Sequence, residues 1–487
     1  MNGSWRFYLW KVLLLFLIGL GLVSTGWQRP HFPAVPLRAA DAPPTPTAIP
    51  LATVDNPTST LVCNIPAGNA SLTPGCHLNI LLDQKPAQDL QAISDAPCAD
   101  GLAAGTYPCH QIDLLSFMPL SELGGLNGND IWGWTDLSTG REYALMGLTD
   151  GVAFVDISDP VNPVRLGNLP EHGGALNSPW RDVKVYANHA FIVADYAGNH
   201  GLQVFDLTQL RDVASPPVTF TETAHYNQFG SAHNIVINQD SGFAYAVGVS
   251  SGDITCAGGL HMINIQEPAN PVFAGCFSGD GYTHDAQCVN YDGPDEAYHG
   301  REICFNSNTD TVTIVDATDK SAPQMLARQG YSSAGYTHQG WLTPDQRYFL
   351  LDDEGDEKPT QANTRTYIWD VGDLEAPKLI GTYTAANQAI DHNLYVHNGY
   401  AFQANYQSGL RVLSLNPIAE GYLYEVAFFD IYPESNDPSF NGAWSNYPFF
   451  NSGVIIVSGM EQGLFVLKMR AIPLLSNRIY LPSIIGR

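Results

Sequence analysis

A short apolar strand recurs seven times along this chain of 487 residues. Its copies are GVAFVDIS (151–158), GLQVFDLT (201–208), GLHMINIQ (259–266), TVTIVDAT (311–318), RTYIWDVG (365–372), GLRVLSLN (409–416) and GLFVLKMR (463–470). Most copies are followed by a Pro-bearing turn and a further apolar strand, as in NPVRLGNL, PPVTFTET, NPVFAGCF, APQMLARQ and APKLIGTY. Proline suits that turn and an outer strand, where no ladder N–H is needed. Two more strands precede each copy, for example DVKVYAN with AFIVADY and NLYVHNG with AFQANY. Four short strands repeated seven times at fifty-odd residues predict an all-β fold, a seven-bladed β-propeller of four-stranded blades. The seventh copy lacks its outer strand. The segment IDLLSFMPL (112–120) precedes the first repeat and has no other partner, so it is expected to close the ring as the fourth strand of the last blade.

The propeller is bounded at 111–470. In residues 1–27, Arg6 and Lys11 precede an apolar run from Val12 to Val23. That run has signal-peptide length and is short for a bilayer span. A cleaved signal peptide is expected, with an uncleaved membrane anchor as the alternative. Residues 28–60 read as a Pro/Thr-rich disordered linker, 61–110 as a small Cys-containing cap and 471–487 as a tail. The eight cysteines are even in number and lack CxxC spacing, which favours disulfides of an exported chain over zinc. Pairing of sequence neighbours is expected: Cys63–Cys76, Cys98–Cys109, Cys256–Cys276 and Cys288–Cys304. A net charge of −26 argues against non-specific nucleic-acid binding, which needs Lys and Arg to neutralise phosphates. It also disfavours an anionic membrane surface, leaving an uncleaved N-terminal segment as the sole membrane contact. A monomer is expected.

A histidine stands at the mouth of four inner strands: GSAHNIVI (230–237), GYTHDAQCV (281–289), GYTHQGWL (335–342) and AIDHNLYV (389–396). Aligning the blades gives a ring of Asn129, Arg181, His233, His284, His338, His392 and Trp444, spaced by 51 to 54 residues. The next position is polar throughout: Asp130, Asp182, Asn234, Asp285, Gln339, Asn393 and Ser445. Loops after the second strands share this face and bring Asp195, Asp253 and DDEGDE (352–357) to it, beside Tyr282, Tyr336 and Trp341. A funnel with such convergent polar groups is a candidate binding site. The competing reading is structural, with His, Asp and Asn tying turns to backbone. A third reading is a metal. Imidazoles of His233, His284, His338 and His392 suit a transition metal, and carboxylates suit calcium. Consecutive blades would crowd the four imidazoles into one arc, which disfavours a regular four-His iron site. Asp352, Asp353, Glu354, Asp356 and Glu357 can collect a hard cation, although EF-hand spacing is absent; the alternative is a solvated acidic loop. No GxSxG elbow, HExxH or P-loop is present.

Several blocks carry a family resemblance: FVDISDP, DIWGWTD, YTHDAQCV, TIVDATDK, GYTHQGWLT, TRTYIWDV, DHNLYV and FNGAWSNYPFF. With these, residues 98–468 resemble the LVIVD-repeat, choice-of-anchor B family of bacterial surface β-propeller proteins. The resemblance implies an exported protein displayed at the cell surface by varied anchors, with no established enzymatic activity. The tail NRIYLPSIIGR is not an LPxTG signal followed by a span. The expected role is a binding or interaction module for a surface protein or glycan, acting through the channel funnel. The rival is a metal-dependent hydrolase or oxygenase at the channel mouth, and a passive spacer is the third reading.

Overall fold

The computed structural model describes residues 85–252, 256–360 and 362–471. The N-terminal apolar segment, the Pro/Thr linker, Cys63, Cys76, Asp253 and the C-terminal tail lie outside them. The described residues form seven sheets, the blades of a propeller, antiparallel except where Val218–Thr219 pairs parallel with Val164–Pro170. Their innermost strands are Gly128–Asp136, Arg181–Tyr186, Asn234–Asn238, Asp285–Asn290, Thr337–Leu342, Asn393–His397 and Ala443–Tyr447. Each touches the next around the ring, and the last touches the first. The closing strand is the expected one: Ile112–Pro119 pairs antiparallel with Gly463–Met469, Phe117 opposite Phe465.

Blades pack face to face, so their middle strands must be apolar on both sides. Thr311–Asp316 and Val454–Gly459 are accordingly buried at every residue. One hydrophobic cluster fills each of the seven joints. Between blades one and two, for example, Leu145 and Phe154 meet Val183, Ile192 and Phe205. Outer strands such as Gln324–Gly330 are mostly exposed, consistent with their Pro and polar content.

The VD signature of the third strand has a local cause. The side chains of Asp156, Asp206, Asn264, Asp316 and Asp370 each accept the backbone N–H two residues on. This Asx turn ends the strand and starts the connection to the outer strand. The glycine that opens the strand is also dictated. Gly201 and Gly409 have φ of 63° and 72°. A Cβ there would stand 2.5 Å from the Tyr226 carbonyl oxygen and 2.4 Å from that of Phe429.

The described part of the Cys-containing segment lines the outer edges of blades six and seven. Ile93–Ala96 pairs with the closing strand, and Tyr107–His110 pairs with Tyr424–Phe429. Disulfides join Cys98 to Cys109, Cys256 to Cys276 and Cys288 to Cys304, the last across directly facing strands. Such bridges belong to an oxidising environment. Among the described residues no helix is long and apolar enough to cross a membrane.

Phe117 is 1% exposed, with its ring centroid 4.6 Å from that of Phe465. Phe117→Ala should cost about 3–5 kcal/mol in urea unfolding, the range for a buried aromatic. A cost below about 1 kcal/mol would show that the closing strand contributes little to the ring.

Candidate functional site

The ring residues gather at one end of the channel, and all seven are buried. The imidazoles follow one another round an arc. Ring centroids lie 4.3 Å apart for His233 and His284, 4.2 Å for His284 and His338, and 4.5 Å for His338 and His392. Trp444 stands 4.9 Å beyond His392. The crowding expected of consecutive blades is therefore present.

Most of these rings use Nδ1 to fasten neighbouring elements. His284 Nδ1 donates to the His338 carbonyl at 2.9 Å, and His392 Nδ1 to the Trp444 carbonyl at 2.5 Å. His233 Nδ1 donates to Asp195 Oδ2 at 3.0 Å. On a neutral ring such as His392, donation from Nδ1 fixes the tautomer and leaves Nε2 with a lone pair. The residues thus stitch one blade to the next rather than tying their own turns. Burial pushes the His392 pKa down to about 3. Burial and the flanking imidazoles hold His338 well below the ordinary value. His233 goes the other way: burial opposes its charge, but the Asp195 carboxylate prevails.

The second ring is mostly a girdle. Asp130 accepts from Val183 N at 3.2 Å, Asp182 from Ile235 N at 2.7 Å and Gln339 from Leu394 N at 3.0 Å, each acceptor reaching the following blade. The Asn234 and Asn393 amides donate to the His284 and Trp444 carbonyls. Among the described residues Asp285 bonds only its own strand's Ala286 N–H, and burial raises its pKa to about 7. Arg181 turns away from the histidines. Its guanidinium is buried against the Leu148 carbonyl, Glu171 and His200 Nε2.

The acidic run differs most from expectation. It is not a solvated loop: Asp352, Asp353 and Glu357 have no exposed surface and Asp356 only 3%. Asp352 and Asp353 end the second strand of blade five, whose apolar neighbours carry them inward. Their partners differ. Asp353 accepts from Gly335 N, Tyr336 N and Tyr331 OH. Asp356 pairs with Arg365 at 2.7 Å and Tyr367 OH at 2.6 Å. Asp352 accepts from Gln403. Glu354 alone turns to the histidines. Its Oε2 lies 3.8 Å from His338 Nε2 and its Oε1 3.6 Å from His392 Nε2, with Tyr406 OH donating at 2.6 Å. Burial raises its pKa to about 7.

His338, Glu354 and His392 are the one set of His, Cys, Asp or Glu among the described residues whose ligand atoms lie within 4.8 Å of one another. With metal bonds of ~2.1 Å at tetrahedral angles, adjacent ligands stand about 3.4 Å apart, close to the spacing here. Two neutral imidazoles and a carboxylate suit zinc or another divalent transition metal better than calcium. Trp180, Ile390, Tyr406, Trp444 and Met460 form an apolar cluster at this same end. Tyr336 stands 5.2 Å from His284, whereas Trp341 lies at the other end of the channel. The sequence did not single out Tyr406 or the buried Asp391, which accepts the Asp353 N–H. Tyr406 follows the second strand of blade six, the same loop family that supplies Asp195 and Glu354.

No protein-family model and no curated protein matches the chain. Solved structures with similar backbones include hydrazine synthase of Kuenenia stuttgartiensis, at 10% identity and a TM-score of 0.49, covering 66% of this chain and 91% of that one. Another is the Cps50 (Swd1) β-propeller domain of Myceliophteria thermophila, at 11% identity and a TM-score of 0.44, covering 68% and 94%. A Lactobacillus plantarum protein follows at 11% and 0.43, covering 68% and 88%.

His200 gives a pH prediction. It is buried, donates from Nδ1 to the Gly201 carbonyl and accepts from Arg181, and burial lowers its pKa to about 3. Below about pH 6.5 the unfolded chain takes up a proton that the folded site refuses. This contribution to stability is therefore full above pH 6.5 and declines as pH falls toward 3. His200→Gln should flatten the pH dependence of urea unfolding between about pH 6.5 and 4.5, by up to about 1.4 kcal/mol per pH unit. Parallel curves for the two proteins would rule the contribution out.

Proposed function

We propose that this protein is an exported binding module whose channel is clasped at one end by a divalent transition-metal ion. The observation that carries the reading is the mutual approach of His338 Nε2, His392 Nε2 and the Glu354 carboxylate, all shielded from solvent. The ligands come from the inner strands and loops of blades five and six, so an ion there would bridge two blades. His392 is already held by its bond to the Trp444 carbonyl, the outer-shell support that metal-ligating imidazoles use. The rings are nearly inaccessible and an apolar cluster sits at the same end. A catalytic metal keeps a coordination position open to substrate, so this burial favours a structural clasp over a hydrolase or oxygenase.

Export is supported by the three disulfides and by the signal-like N-terminal sequence. The resemblance to the LVIVD-repeat, choice-of-anchor B family supports display at a cell surface. The fold itself is consistent with an interaction module.

Elemental analysis of the purified protein tests the clasp. One transition-metal ion per chain is expected, with loss in His392→Ala and in Glu354→Gln. Stripping the metal with a chelator should lower the melting temperature by several degrees, since an ion at a hundredfold excess over its Kd stabilises by about 2.7 kcal/mol. Protein that carries no metal, takes none up from added zinc or iron(II), and melts identically with and without chelator would overturn the reading.

A further inference from the structure

The other end of the channel is built differently. Strand alternation returns a side chain to the channel two residues after the polar ring. That position reads Trp132, Lys184, Val236, Gln287, Trp341, Tyr395 and Tyr447. Blades five, six, seven and one therefore contribute an aromatic arc, and blades two, three and four a polar and aliphatic one. A cavity of about 250 Å³ opens between the two arcs. At ~30 Å³ per water it holds roughly eight waters, about the space of one sugar ring.

The aromatic wall is continuous. Tyr395 lies 5.6 Å from Trp132 and 5.0 Å from Trp341, edge to face with both. Phe449 closes the group at 6.2 Å from each tryptophan. Tyr395 is buried as the floor, while both tryptophans are half-buried. Beside them, Gln287 of blade four and Gln339, two residues before Trp341 on the same strand, each give Oε1 to a backbone N–H of the next blade. That bond fixes the amide plane. Both residues line the cavity, and their Nε2 groups have no protein acceptor among the described residues. Asp285 adds an acceptor oxygen on the same side.

We propose that this cavity binds one ring of a neutral hexopyranose glycan. Each ligand class can be weighed on the residues present. A cation is disfavoured because Lys184 already lies 4.7 Å over the Trp132 ring and is paired with Asp130 and Asp182. The rings also touch one another and leave no gap for an ammonium between them. An anion would meet Asp285, and the one ammonium lining the cavity is already neutralised. A purely apolar ligand would strand the two glutamine N–H₂ groups, at about 1–3 kcal/mol per unsatisfied donor. A sugar matches both walls. Its C–H face carries partial positive charge and packs on the negative face of an indole, and its hydroxyls accept from the amides and donate to the carboxylate. The two ends of the channel are thereby assigned separately, one to a metal and one to a saccharide.

The test is binding of the full chain to immobilised neutral oligosaccharides of the gluco-, galacto-, manno- and N-acetylglucosamine series, followed by calorimetry with the free oligosaccharide that binds. Trp341→Ala and Trp132→Ala should each weaken binding at least tenfold, and Trp341→Phe should retain most of it. Melting curves check that the variants remain folded. Stripping the metal, or His392→Ala, should leave saccharide affinity unchanged, which keeps this outcome separate from that of the clasp. The proposal fails if no neutral saccharide of the panel binds, or if binding survives in both tryptophan-to-alanine variants. It fails equally if acidic glycans or choline bind at these tryptophans in place of neutral sugars.

Discussion

Each blade of this protein is apolar on both broad faces, and a sheet of that kind cannot face water on either side. Two such sheets packed together still leave two apolar faces bare. A closed ring leaves none, because every face meets another blade. The antiparallel pairing of Ile112–Pro119 with Gly463–Met469 makes the last blade complete enough to close it. The joint between the first and last blades then fills with Ile131 and Met146 on one side and Met118, Ile456 and Val466 on the other. The channel and the polar groups at its two ends exist only because these joints hold seven inner strands side by side.

The histidines show how one side chain serves both the scaffold and the site. The Nδ1 atoms of His233, His284 and His392 bond a neighbouring carbonyl or carboxylate, so blade repetition accounts for their position. A ring held only for that purpose needs nothing at Nε2. Glu354 breaks the symmetry: a single carboxylate placed between two of four equivalent imidazoles marks blades five and six as different from the rest. The repeat explains the arc, and the departure from the repeat marks the candidate site.

The blade count, the closing strand and the disulfides at Cys98, Cys256 and Cys288 were legible because they follow from periodic or local patterns. Even the Asp of the VD signature has a reason within two residues of itself. The acidic run was not legible. Five carboxylates within six residues resemble a solvated loop, and nothing local reveals that Arg365, Gln403 and Tyr331 come from elsewhere to satisfy them. Arg181 misled for the same reason, since its partners Glu171 and His200 lie outside the inner strand. The aromatic arc was visible in principle. Trp132, Trp341, Tyr395 and Tyr447 sit three residues after ring members, but among mostly apolar strand residues they pass for core. Only their half-exposed faces in the assembled channel set Trp132 and Trp341 apart.

Ring closure also has a consequence in time. The strand at 112–119 is among the first parts of the propeller to leave a ribosome or a translocation pore, and its partner at 463–469 is among the last. Through the whole passage the early strand has an unpaired edge and an uncovered face, with five or six finished blades behind it and no seal. The strand Ile93–Ala96 pairs with the opposite, outer edge and can do so from local sequence alone, while the edge that awaits 463–469 stays bare. The chain thus covers one edge of this strand early and leaves the other, the seam itself, to wait longest.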